Sequence, residues 1–282
     1  MSRYSYVNGR FLPHRDAHIS IDDRGFLFGD AIYEVWSVRK GELLDADGHF
    51  GRLQRSLGEL RIAMPVTIPA LKLVIRELLR RNRVRDGLVY LQISRGAARR
   101  DHAFPPAGTL PTLVMTAKRV DFTAADARAD QGIGVLSLPD QRWARCDIKT
   151  VNLLPNVLAK QAAREAGAFE AWQVDEAGKV TEGASSNAWI VTADGVLVTR
   201  PADNAILHGI TRATILRIAR EAGLGVEERG FTLAEAHAAR EAFITSATTF
   251  VTPVVRIDDK PVGNGAPGSL ATQLRQAYLG PN

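Results

Sequence analysis

The chain has 282 residues, a net charge of +5 from 36 basic and 31 acidic side chains, and one cysteine, Cys146. A lone cysteine excludes an internal disulfide framework and a cysteine-built metal site, and fits a reducing, cytoplasmic setting. No apolar run approaches the roughly 18 residues of a membrane span, and the N-terminus lacks the apolar stretch of a secretory signal.

The length favours two domains. RYSYVNGRFL reads as a hairpin turning at Asn8-Gly9, and AIYEVWSV (31–38) as an alternating strand that turns at Lys40-Gly41 into a second hairpin. From Asp47 to Met64 the period changes: Phe50, Leu53, Leu57 and Leu60 mark an amphipathic helix. A second helix opens near Pro69 and is expected to stop before Gly87. LVYLQIS (88–94) and TLVMTA (112–117) are strands, and the small, polar residues 119–132 read as a linker. Beyond it come strand IGVLSL, a helix from Pro155 to Ala166, and strands AWQVD, SSNAWIVT and VLVT. Helix TRATILRIAREAG, with Thr211 as expected N-cap, is followed by strands AFITS and VTPVVRID and a helix over 269–279. The pattern is mixed α and β in two domains.

The basic residues are interleaved with Asp and Glu, so the positive charge suits small carboxylates or phosphates better than nucleic acid. The six histidines lack metal-ligand spacing. Arg outnumbers Lys 29 to 7, which singles out Lys149 in RWARCDIKTVNLLPNVLAK. Lysine can lose its proton and act as an amine nucleophile, whereas arginine cannot; a surface lysine at a strand end is the plainer alternative. Glu182, in VTEGASSNAWIV, reads equally as a turn carboxylate, and Ser185, Ser186 and Asn187 as turn caps. HGITRATIL offers free backbone N–H groups at Ile210 and Thr211 where a helix dipole favours phosphate; an ordinary capped helix stays open. The hydroxyls of TSATTF (245–250) and Arg52 are further anion candidates. Arg100 and His102, two apart in RGAARRDHAFPP, project to one side of an extended loop and together suit a carboxylate, or simply form a solvated basic loop.

Taken in this order, FGDAIYEV, HFGRL, RCDIKTVNLLPNVLAKQ, VTEGASSN, ILHGITR and ITSATTFVTPV resemble the class IV, fold-type IV aminotransferases that use pyridoxal 5′-phosphate. The resemblance implies an α+β fold of two domains. A small N-terminal α/β domain (1–120) and a linker (121–132) would precede a larger C-terminal domain (133–282), which has a barrel-like sheet and carries the Schiff-base lysine, Lys149. It implies Glu182 against the pyridine nitrogen, and Arg52, Ile210, Thr211 and Thr248 on the phosphate. Leu207 would pack on the ring, with Ser186 also in contact with the cofactor. Tyr33, Arg100 and His102 look like the carboxylate trap of the D-amino acid branch, where Arg and His come from the neighbouring subunit of a homodimer. That branch exchanges an amino group between a D-amino acid and a 2-oxo acid by ping-pong kinetics. Aminodeoxychorismate lyases and branched-chain L-aminotransferases share the cofactor residues and stay open as alternatives. Ala184, where relatives carry a hydroxyl residue, and Arg99 and Asp101 beside the trap depart from the pattern.

Overall fold

The computed structural model describes residues 2–280. They divide into two compact units, one built from the chain up to Phe122 together with Ile148–Asn152, the other from Thr123–Asp147 and the chain from Leu153 onward.

In the first unit, β1 (Tyr4–Val7) and β2 (Arg10–Pro13) form the expected hairpin. Asn8 and Gly9 sit at φ of 43° and 91°, the hand that a two-residue turn needs to match strand twist. A short helix α1 (Arg24–Phe28), capped by Asp23, was not legible in the sequence. Then come β3 (Ala31–Arg39), β4 (Glu42–Leu43), α2 (Ala46–Glu59), α3 (Ile68–Asn82), β5 (Gly87–Ser94) and β6 (Thr112–Arg119). The six strands pair in the order β2-β1-β6-β5-β3-β4, all antiparallel. Alternate residues of β5 (Val89, Leu91, Ile93) point inward with Trp36 of β3 and meet Leu53 and Leu57 of α2 and Leu71, Ile75 and Leu78 of α3.

Two helix ends differ from expectation. Instead of running to Met64, α2 stops at Glu59: Arg61 turns to φ 53° and Ile62 N–H donates to Leu57 O at 2.9 Å, so both side chains of that pair reach the core. The stop of α3 is Arg83, in the left-handed conformation, while Gly87 opens β5. A Cβ at Gly87 would lie 2.1 Å from Lys118 O, so the glycine serves close strand approach and not helix termination.

The second unit contains α4 (Thr123–Gln131), β7 (Ile133–Pro139), α5 (Leu154–Glu165), β8 (Glu170–Val174), β9 (Lys179–Gly183), β10 (Asn187–Val191), β11 (Leu197–Thr199), α6 (Ile210–Glu221), β12 (Val226–Glu228), β13 (Phe231–Thr232), α7 (Leu233–Ala238), β14 (Glu241–Ser246), β15 (Phe250–Ile257), β16 (Lys260–Pro261) and α8 (Ser269–Leu279). Its ten strands form the barrel-like sheet, in the order β12-β11-β10-β14-β15-β7-β8-β9-β13 with β16 beside β15; β11/β12, β15/β7 and β7/β8 run parallel. On one side α6 and α8 bury Ile215, Leu216, Leu270 and Leu274 with Trp189 and Phe243 of the sheet. No helix among the described residues is long and apolar enough to cross a membrane.

Residues 119–132, expected as a linker, hold helix α4. Its buried side chains are Ala125 and Ala129, and methyl groups one turn apart give too faint a period to read. β9 was also missed, so Glu182 lies within a strand and not at a turn. Helix α6 is capped by Gly209, which places Thr211 second in the helix. The lysine segment, expected with the C-terminal domain, packs with the first unit, because Thr150 bridges Ile32 and Tyr33 N–H donates to Lys149 O at 3.0 Å along the open end of β3.

Candidate active site

Pairing with β3 decides where Lys149 points. Its backbone N–H reaches Ser56 Oγ of α2 at 3.4 Å, and its Nζ lies 4.2 Å from the centre of the Tyr33 ring. Tyr33 in turn stacks on Tyr90, ring centres 5.7 Å apart. Burial, with a smaller contribution from Tyr33, pushes the Tyr90 phenol up to about 12.

Side chains alternate along a strand, so Glu34 leaves β3 on the other face from Tyr33. It is wholly buried. Arg52 holds it with two hydrogen bonds, Nε to Oε1 and Nη2 to Oε2, each 2.8 Å, and His49 Nδ1 lies 2.7 Å from Oε2. Burial pushes the Glu34 carboxyl up, but the charge and hydrogen bonds of Arg52, helped by His49, outweigh it and leave it at about 2. His49 is held below its ordinary range, chiefly by burial and against the pull of Glu34, with the charges of Arg52 and Lys149 adding to the fall. Arg52, expected at a phosphate, is thus engaged by an acid that sequence reasoning passed over. A carboxylate at an inward position of an otherwise apolar strand was the available signal.

Arg100 and His102 are exposed, yet they share a support. The Arg100 guanidinium lies 5.3 Å, and the His102 ring 5.5 Å, from the centre of the Phe28 ring. Behind them Arg24, 3% exposed, donates to the carbonyls of Asp101 (2.6 Å) and His102 (3.4 Å) while its Nε holds Asp30 Oδ2 at 2.8 Å. Arg95 grips the same carboxylate at 2.7 and 2.9 Å. Burial raises the Asp30 pKa, but the hydrogen bonds and charges of Arg95 and Arg24 bring it net below the ordinary carboxylate value.

In the second unit Glu182 is buried on β9 and meets three donor groups. Arg142 Nη1 donates to Oε1, Asn187 Nδ2 to Oε2 at 2.8 Å, and Leu207 N–H to both oxygens at 3.1 Å. Arg142 was missed as a site residue. Its Nε and Nη2 also clamp Asp140 at 2.9 and 2.7 Å, and Nη2 reaches Ala205 O at 3.0 Å. Asp140 is held below the ordinary value because Arg142 outweighs its burial. Asn187 ties this carboxylate to the start of α6: it also donates to Leu207 O at 2.9 Å, and its Oδ1 fills the space where a Cβ at Gly209 would fall, 1.9 Å away. Only glycine fits there.

No side chain caps the first turn of α6, so the N–H groups of Ile210 and Thr211 are turned out with the positive end of the helix dipole. The hydroxyl of Thr211 is buried and without a hydrogen-bond partner among the described residues. Thr248 lies in the turn between β14 and β15, where Ser246 Oγ accepts from the N–H groups of Thr248 and Thr249 at 3.3 and 3.1 Å. The Ser186 hydroxyl donates to Glu170 Oε2 at 3.2 Å, as that of Ser185 does at 2.6 Å. Ala184 packs in a cluster of small side chains with Ala159, Ala163, Ala168 and Ala171, so its methyl has a packing role.

Comparison with known proteins shows the family. Residues 31–257 match the model of the family Amino-transferase class IV. The chain is 40% identical over 273 residues to the D-alanine aminotransferase of Staphylococcus haemolyticus (97% of this chain, 95% of that one). It is 41% identical over 270 residues to that of Bacillus licheniformis (96% and 94%). Among solved structures, the branched-chain amino acid aminotransferase from Escherichia coli superposes with a TM-score of 0.89 at 26% identity, covering 99% of this chain and 94% of that one. The T.th. branched-chain amino acid aminotransferase with pyridoxamine 5′-phosphate gives 0.89 at 27%, covering 99% and 93%. The chain belongs to the class IV aminotransferases, and its fold is theirs, fold type IV.

Proposed function

We propose that the protein moves an amino group between a D-amino acid such as D-alanine and a 2-oxo acid such as 2-oxoglutarate, with pyridoxal 5′-phosphate as cofactor. The observation that carries the substrate class is the identity of about 40% across nearly the whole chain to D-alanine aminotransferases. The residues present fit the cofactor: the buried, unpartnered hydroxyl of Thr211 at an uncapped helix start is what a phosphate oxygen would satisfy.

Ile210, Thr211 and Thr248 would hold the phosphate, with Arg52 contributing from its ion pair with Glu34. Leu207 would pack on the ring, with Ser186 also in contact with the cofactor. Once bound, the cofactor supplies an aldehyde that bonds to amino groups and a ring that accepts the electron pair released at the substrate Cα. Lys149 would provide the primary amine that holds the group through its aldehyde. Its Nζ, once free, would be the base that takes up and carries the proton released at the substrate Cα. Glu182 would keep a proton on the pyridine nitrogen, an electrostatic task for which its buried setting among Arg142, Asn187 and Leu207 N–H holds it fixed. Tyr33, Arg100 and His102 fix the substrate carboxylate, which decides which Cα bond is broken. Arg100 and His102 act across a homodimer interface, a reading supported by their exposure in the single chain and by exposed Phe26, Phe104 and Leu110 in the same unit. The single cysteine suits a cytoplasmic enzyme.

The structural likeness to branched-chain enzymes favours a second reading, transamination of L-leucine. Initial rates with D-alanine and L-leucine, 2-oxoglutarate as acceptor, separate the two. D-alanine is expected to be the faster donor, and preference for L-leucine would overturn the first reading. Release of pyruvate from aminodeoxychorismate in place of transamination would identify a lyase.

A further inference from the structure

The turn that carries Thr248 is built around an unfavourable backbone. Phe250, fully buried, stands at φ 61°, a conformation that hairpins of this kind normally give to glycine and that is an outlier for an aromatic residue. Something must hold it. Arg275, on α8 and 7% exposed, donates Nη1 to Thr249 O at 2.8 Å and to Val251 O at 2.7 Å, the carbonyls on either side of Phe250. Its Nη2 is fixed by Asp126 of α4 at 2.6 Å, and its guanidinium lies 5.4 Å from the centre of the Phe250 ring. Thr249 O also accepts from Thr252 Oγ1 at 2.9 Å. Tyr278, one helical turn on from Arg275, faces Phe250 with ring centres 5.9 Å apart.

We infer that Arg275 is a positioning residue for cofactor phosphate: from the C-terminal helix it locks the hydroxyl-bearing turn 246–249 into the shape that presents Thr248. A guanidinium is suited to this, since its planar fork satisfies two carbonyls and a carboxylate at once. Arg275 itself touches no reacting atom. Backbone strain kept at a ligand-binding turn persists only where the surroundings over-determine it, and α4 and α8 supply that support. The inference rests on the reading of Thr248 as a phosphate ligand.

The test is the affinity of the full-length chain, stripped of cofactor, for pyridoxal phosphate and separately for pyridoxal, which lacks the phosphate, followed by absorbance. Arg275→Met is expected to weaken pyridoxal phosphate about tenfold or more, comparable to a lost charge-assisted contact, while leaving pyridoxal within about twofold. Asp126→Asn, which leaves the two carbonyl contacts in place, is expected to give a smaller loss of the same phosphate-selective kind. Equal weakening of both ligands in both variants, or no weakening in either, overturns the inference. Thr248→Ala, measured alongside, separates the two levels. If it weakens pyridoxal phosphate and the Arg275 and Asp126 variants do not, Arg275 has no positioning role. If Thr248→Ala has no effect, the assignment of Thr248 is what fails.

Discussion

Arg142 donates to Glu182 with one arm of its guanidinium and holds Asp140 with the other two nitrogens. Asp140 balances the positive charge, so Arg142 orients Glu182 as part of a closed network. Glu182→Gln is expected to lower kcat on the order of 100-fold, the scale for losing one preorganised electrostatic group, with cofactor still bound. Arg142→Gln, which frees Glu182 to rotate, is expected to fall between wild type and Glu182→Gln. Steady-state kinetics at saturating donor check both, and full turnover in Glu182→Gln would remove it from the chemistry.

Acid should undo the Glu34 cluster in a defined window. The carboxyl sits at about 2 in the folded chain against 4.5 unperturbed. A depressed acid stabilises the fold fully above the unfolded value and loses that contribution as pH falls through the folded one. His49, depressed by burial, acts in the same direction as pH falls below its ordinary value of 6.5. The Glu34 contribution is roughly 3 kcal/mol and should disappear between pH 4.5 and about 2. The gap in unfolding free energy between wild type and Glu34→Gln, followed by denaturant titration at stepped pH, should be steady above about pH 5 and narrow below it. A gap unchanged down to about pH 3 would show that Glu34 is not held this way.

The substrate trap is expected to separate binding from chemistry. Arg100→Ala should raise KM for D-alanine about tenfold or more, the scale of a lost charge-assisted pair, and leave cofactor affinity unchanged. Arg24→Met, which strips the carbonyls of Asp101 and His102 of their donor, should raise KM in the same sense. An unchanged KM in Arg100→Ala excludes it from the trap.

Gly209→Ala is expected to be costly for so small a change. The new Cβ would fall 1.9 Å from Asn187 Oδ1 and push that amide off Glu182 and Leu207. Overpacking of this sort costs about 1–3 kcal/mol. A thermal midpoint equal to wild type would mean that the turn adapts freely.

What the sequence disclosed, and what it hid, follows from how strongly each feature marks a linear pattern. The alternation of AIYEVWSV and the apolar stripe of Phe50, Leu53 and Leu57 are strong periodic signals, and β3 and α2 lie there. Helix α4 was invisible because its buried face is two alanines, and β9 because Glu182 and Gly183 interrupt it. The motifs around Lys149, Glu182 and Ile210 were legible as short strings. Their supports were not: Glu34 lies 18 residues from Arg52, and Arg142 lies 40 from Glu182. Such partners meet only when elements distant in the chain pack together, as α2 does on β3. The placement of Lys149 with the first unit has the same origin, since a bridge from Thr150 to Ile32 leaves no trace in local sequence.

The proposed chemistry turns on one covalent bond. Purified holoenzyme should be yellow; reduction with borohydride followed by peptide mass mapping should place a single phosphopyridoxyl group on Lys149, one of seven lysines in the chain, and none in Lys149→Ala. A modified lysine elsewhere, or an active enzyme that reduction leaves unlabelled, would contradict it.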